Sequence, residues 1–264
     1  MGRISEKFQD MRLKGRKGFI VYITAGDPDL DSTGKLVLEL ERRGVDLVEL
    51  GVPFSDPVAD GPTIQRASER ALRNGVKLAD VLGLVGELRR KSELPVLLFS
   101  YLNPILSFGP ERFVREASAK GVDGVLVLDL PPEEAEDYVR TMWTHNLDTV
   151  FLVAPTSTDG RIAKIAALST GFIYCVSRTG VTGERDKVSP EVKATVERVR
   201  RHTELPVAVG FGISRPEHVK EVAEYADAVV VGSAVVRRIE EFAGSPGWIS
   251  RIGSFVGELV GALR

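Results

Sequence analysis

Short runs of apolar residues recur along the chain, each followed by a stretch in which apolar positions return with helical spacing among charged ones. The runs are FIVYIT (19–24), LVELG (47–51), PVLLFS (95–100), GVLVLD (124–129), TVFLVA (149–154), GFIYCVS (171–177), VAVGFG (207–212) and DAVVVG (227–232). Each is rich in Val, Ile, Leu or Phe and is bounded by Gly, Pro or Asp, as strands buried on both faces of a parallel sheet are. The spacing between them predicts helices over 31–43 (Leu36, Val37, Leu38, Leu40), 79–92 (Val81, Leu82, Leu84, Val85, Leu88) and 190–202 (Val192, Val196, Val199). Residues 132–145, 159–169 and 215–225 read the same way. Ile4, Phe8 and Met11 form an apolar stripe on a short N-terminal helix, and 246–263 reads as a last helix with Trp248, Ile252, Phe255 and Leu259 on one face.

Eight strands alternating with helices over about 250 residues meet the requirement of a (β/α)8 TIM barrel. Doubly wound open sheets alternate too; the count of eight and the even spacing favour the barrel. No Gly/Ser linker or low-complexity stretch divides the chain, so residues 1–264 are read as one domain. In that fold the extra N-terminal helix would cover the base of the core, and the extra C-terminal helix would follow the eighth strand. The 264 residues, 43% of them hydrophobic, supply an ample core. A net charge of -2 lacks the basic footprint of a nucleic-acid binder. The N-terminus has no apolar signal region and no run approaches the roughly 18 residues of a membrane span, so a cytoplasmic protein is expected. The single cysteine, Cys175, excludes an internal disulfide and a Cys-cluster zinc site.

Barrel active sites lie at the C-terminal ends of the strands, and side chains there alternate between the interior and the helical layer. In the second run Leu47, Glu49 and Gly51 share one side, and Val48 and Leu50 the other. The second pair suits the layer under the helices, so Glu49 points into the barrel near its top. A carboxyl there is costly unless paired, and its pKa rises. Asp56 and Asp60 follow in a loop stiffened by Pro53, Pro57 and Pro62. Each aspartate also fits an ordinary turn, with Pro62 in the first turn of a helix. His145, His202 and His218 fall in or just after helical stretches and are read as surface or helix-end residues. Cys175 is read as a small core residue facing the helices. With no histidine or cysteine at a strand top, no metal site is expected and acid–base work falls to carboxylates.

Glycine-rich segments follow the later strands: SRTGVTG (177–183), GFGIS (210–214) and the start of VVGSAVV, where Gly232 and Ser233 open a helix. Such loops make tight turns, and they also let backbone N–H groups and a helix N-terminus approach an anion. Barrels often build a phosphate site after strands seven and eight. Tyr22, Phe54, Tyr101, Tyr174 and Phe211 lie near the same mouth. Each is also an ordinary core aromatic; together they suggest a flat apolar moiety carried on a phosphorylated chain.

The segment LVELGVPFSDPVADGPTIQRA closely resembles the signature of the tryptophan synthase alpha chain family. FIVYITAGDP, FIYCVSRTGVTG, VGFGIS and VVGSAVV match in order, so that the resemblance runs from about residue 17 to 240. LLFSYLNP and LDLPP are where the sequence varies in detail, which bears on the shape of the indole pocket. The resemblance implies a lyase of tryptophan biosynthesis that splits indole-3-glycerol phosphate into indole and glyceraldehyde 3-phosphate. It implies Glu49 as the main proton donor and acceptor, and Asp60 as the group that holds the indole N–H and stabilises positive charge. Tyr174 would line the site. Gly183, Phe211, Gly212, Gly232 and Ser233 would hold phosphate, with Thr182 on a closing loop. It further implies a complex of two alpha and two beta chains, met through Pro53, Phe54 and Asp56. This chain would need no cofactor, pyridoxal phosphate being expected only in the beta chain. Two other readings share some of these features: a different phosphosugar barrel, and a barrel kept as an activator of a partner enzyme.

Overall fold

The computed structural model describes residues 2–176, 191–210 and 212–263. Its strands are β1 (Gly18–Thr24), β2 (Leu47–Gly51), β3 (Val96–Ser100), β4 (Gly124–Val127), β5 (Asp148–Val153), β6 (Ile173–Val176), β7 (Val207–Gly210) and β8 (Ala228–Val231). They pair in sequence order, all parallel, and β8 closes on β1. Every strand proposed from the sequence is present, several shorter by a residue or more at their ends. The helices are α1 (Arg3–Leu13), α2 (Leu30–Arg42), α3 (Pro62–Arg73), α4 (Leu78–Leu88), α5 (Leu102–Phe108), α6 (Pro110–Lys120), α7 (Glu136–Thr144), α8 (Asp159–Leu168), α9 (Glu191–Val199), α10 (Pro216–Ala223), α11 (Ser233–Phe242) and α12 (Trp248–Gly261). The pair α5 and α6, between β3 and β4, has no counterpart in the periodicity reading. Both are short, and Gly109 between them, at φ 92°, breaks the pattern.

Local chemistry sets many of these boundaries. Asp29 caps α2 by accepting the Ser32 amide at 2.7 Å. Pro62 and Pro110 occupy first-turn positions of α3 and α6, where a missing N–H costs nothing. Gly121 ends α6 in the left-handed conformation, φ 82°.

Strand alternation divides the core in two. Val48, Leu50, Leu98, Cys175 and Val209 pack outward against Leu36, Leu40, Leu82 and Val85 of the helices. Ile20, Tyr22, Leu47, Leu97, Phe99, Leu126 and Tyr174 fill the interior. Ile4, Phe8 and Met11 of α1 join this inner cluster, with the Phe8 ring 5.6 Å from that of Phe172. The N-terminal helix therefore plugs the base, as its apolar stripe predicts. Each fully buried aliphatic side chain contributes about 1.5–3 kcal/mol relative to exposure, so the plug is part of the core and not an appendage.

Acids at the base fasten the sheet. Asp46, just before β2, takes two bonds from Arg16 (2.9 and 2.7 Å) and one from the Phe19 amide of β1 (3.0 Å). Asp123, before β4, takes Arg89, Arg3 and the Val96 amide of β3. Asp227, before β8, takes Arg200 and the Val207 amide of β7. Three of the eight strand pairs are thus each joined by one carboxylate. His218 is a helix-end residue but not a surface one: it is buried in the first turn of α10, and its Nδ1 accepts the Ser214 amide at 3.4 Å. Among the described residues no helix is long and apolar enough to cross a membrane.

Candidate active site

Glu49 is the third residue of β2 and stands beside Tyr22 of β1 and Leu97 of β3. Alternation aims it inward: Leu47, two residues before it, belongs to the inner cluster, while Val48 and Leu50 belong to the outer one. It is 0% exposed, and neither carboxyl oxygen has a hydrogen-bond partner among the described residues. Burial, opposed by no cation, pushes its pKa up to about 8.

Asp60 reaches the same region from the loop between β2 and α3. The Asp60 amide donates to the Pro57 carbonyl (3.0 Å), and Gln65 Nε2 donates to the Asp60 carbonyl (2.8 Å), so the backbone is fixed from both sides. The carboxyl is 4% exposed. Its Oδ2 accepts the Tyr101 hydroxyl at 3.0 Å, and Oδ1 is buried without a partner among the described residues. Burial pushes its pKa up to about 6, and the Tyr101 bond opposes that rise. The two acids thus differ in kind. At neutral pH Glu49 favours its protonated form and Asp60 its ionised form, the division of labour that proton transfer beside a developing cation requires.

Two tyrosines complete the interior. Tyr22 lies over Gly51, where any side chain would overlap its hydroxyl, and its ring meets Phe99 edge-on at 5.1 Å. Tyr174 of β6 lies over Gly210 in the same manner. Burial, then the Asp60 charge, raises the pKa of Tyr22; burial, then Glu49, raises that of Tyr174. Both phenols therefore stay protonated. Phe99 was absent from the aromatics named in the sequence, although it shares an inward face with Leu97 and pairs with Gly51. That alternation was the available signal.

On the far side of Tyr22, Gly232 and Ser233 begin α11 directly after β8, and the Gly232 carbonyl accepts the Val235 and Val236 amides. A side chain at Gly232 would come within 3.3 Å of the Tyr22 Cβ, so this helix start abuts the acid-lined interior. Gly212 follows β7 with φ 85°. Thr182, Gly183 and Phe211 lie outside the described residues. At the rim Pro53 is buried, Phe54 is half-buried with its ring 5.2 Å from Tyr101, and Asp56 is exposed. Val58 in the same loop is 79% exposed. Cys175 is buried and faces the helical layer. No cluster of His, Cys, Asp and Glu placed to hold a metal occurs among the described residues.

A closed parallel barrel that gathers buried acids and tyrosines in its interior falls in the class of (β/α)8 barrels whose active site occupies the C-terminal rim. The family model for the tryptophan synthase alpha chain matches residues 8–253, and the chain belongs to that family. It is 54% identical over 259 residues to the tryptophan synthase alpha chain of Solibacter usitatus, covering 98% of this chain and 97% of that one. It is 51% identical over 264 residues to that of Geotalea uraniireducens, covering 100% and 98%. Among solved structures, tryptophan synthase subunit alpha from Legionella pneumophila superposes with a TM-score of 0.92 at 38% identity, covering 100% of this chain and 98% of that one.

Proposed function

We propose that this chain is the lyase subunit that cleaves indole-3-glycerol phosphate to indole and glyceraldehyde 3-phosphate in tryptophan biosynthesis. The observation that carries the reading is Glu49: an enclosed carboxyl inside the barrel with neither oxygen partnered among the described residues. With a pKa near 8 it holds a proton at neutral pH and gives it to C3 of the indole ring. The ring becomes cationic, and the ionised Asp60, with its free Oδ1, accepts the ring N–H and stabilises that charge. The carbon–carbon bond between C3 and the glycerol chain then breaks. Its electron pair restores the ring, and the neighbouring hydroxyl gives its proton to the Glu49 carboxylate as the aldehyde forms. Glu49 ends protonated, ready for the next cycle. The start of α11 at Gly232 and Ser233, with Gly212, would receive the phosphate through backbone N–H groups and the helix dipole.

We read the rim loop of Phe54, Asp56 and the exposed Val58 as the surface that meets a beta chain, in a complex of two alpha and two beta chains. Pyridoxal phosphate would belong to that beta chain. We read the whole chain as one domain working in the cytoplasm.

The test is incubation of the purified protein with indole-3-glycerol phosphate, with and without a beta chain. Indole and glyceraldehyde 3-phosphate are expected in equal amounts. A protein that binds the beta chain yet releases no indole, alone or in complex, would leave only the activator reading.

A further inference from the structure

Asp60 is useful to the proposed reaction only if one oxygen is held and the other is left facing the ligand, and one side chain does this holding. The Tyr101 hydroxyl receives the Ala59 N–H at 3.0 Å. An N–H can only donate, so the hydroxyl is the acceptor there, and its single proton is left for Asp60 Oδ2, also at 3.0 Å. The order is fixed: Ala59 N–H to Tyr101 oxygen, Tyr101 O–H to Asp60. Tyr101 is 3% exposed, occupies the N-cap position of α5 at the top of β3, and meets the Phe54 ring at a tilt of 36°. Its hydroxyl is thus anchored by β3 on one side and by the Asp60 loop on the other.

We infer that Tyr101 is a positioning residue, which fastens the loop through Ala59 and turns the Asp60 carboxyl so that Oδ1 faces bound substrate. The inference rests on the proposed function for its activity readouts, but the contact itself is testable without turnover. Among the described residues the titratable groups facing Asp60 are Tyr101 from the β3–α5 junction and Tyr22 from β1. Glu49 of β2 acts on Tyr22, and Asp129 after β4 acts on Tyr101. Of these, only Tyr101 gives the Asp60 carboxyl a hydrogen bond among the described residues. Phenylalanine at 101 keeps the ring against Phe54 and deletes only the hydroxyl.

The experiment is Y101F, checked for folding by thermal melting, with the Asp60 carboxyl followed by carbon-13 NMR titration. Loss of the donor leaves burial unopposed, so Asp60 should titrate at higher pH and the acid limb of the activity profile should move the same way. A hydrogen bond to a charged group corresponds to a factor of about ten to a hundred. kcat should fall by about that factor, with KM within about twofold because the phosphate end is untouched. In a D60N background Y101F should cost less than about twofold. An Asp60 titration unmoved in folded Y101F overturns the inference. So does an equal cost in both backgrounds, which would mean Tyr101 acts on substrate directly. Should Y101F not fold, D60N alone decides. The Tyr101 ring carbon bearing the hydroxyl must change its chemical shift when the carboxylate is replaced, and an unchanged shift overturns the inference. If the unmutated protein releases no indole, the functional reading fails while the titrations still judge Tyr101.

Discussion

At the base of the barrel Asp46, 5% exposed, gives its oxygens to Arg16 and to the Phe19 amide. At the mouth Glu49, 0% exposed, gives its oxygens to no described group, and Asp60, 4% exposed, has one oxygen engaged. Burial is nearly equal, so burial does not distinguish a structural acid from a reactive one. Partners do. A carboxylate that receives a guanidinium and a strand amide offsets its desolvation and ties two strands together. A carboxyl without partners meets the same desolvation by keeping its proton, and it can then pass that proton to a ligand. Both ends draw on the same rule, that a buried charge must be compensated.

The largest effect expected is at Glu49. Glu49→Gln should lower indole release by at least about a hundredfold. Its folded pKa lies above the unfolded value, so the native protein binds more protons than the unfolded chain between about pH 4.5 and pH 8. Stability attributable to this group therefore falls as pH rises through that window. The amide should gain on the unmutated protein from the acid to the alkaline side of it. Near-normal turnover, or a stability gap independent of pH, would place Glu49 with the structural acids.

Ser233→Asp sets a carboxylate at the start of α11, where it favours the helix but repels a phosphate. Melting should hold or rise, while glycerol 3-phosphate binding, measured by calorimetry, should weaken about tenfold. Unchanged affinity would remove the phosphate from this side of the mouth. The smallest effect on turnover belongs to the base. Asp46→Ala strips a buried amide and an arginine of their acceptor, and denaturant melts should lose about 1–3 kcal/mol. The figure stays low because Arg16 is partly exposed and can turn to water. Turnover at a temperature where the variant is folded should stay within about twofold; a large loss would mean that the two ends are coupled.

Much of this was legible in the sequence. The eight runs, their order, the inward side of the second strand and the plug of Ile4, Phe8 and Met11 all follow from periodicity. Period-two alternation is local, and a strand buried on both faces has no other way to place an acid among Leu47 and Gly51. The helices α5 and α6 were not legible, being too short for a period to emerge and interrupted by Gly109. The burial of His218 was not legible for a related reason: a helical position says nothing of which side the neighbours cover.

What the chain's order of residues established, then, was architecture and candidates: a barrel, an inward carboxyl, acids in a proline-rich loop and glycines after the last strands. What waited for three dimensions was pairing. Asp46 and Asp60 both flank strand two, yet one meets Arg16, thirty positions away, and the other meets Tyr101, forty-one positions away. Compensation of a charge depends on groups brought together by closure of the sheet, across separations that no local pattern records. The same closure brings Tyr22 between Gly51 and Gly232, and so joins the acid side of the mouth to the start of α11.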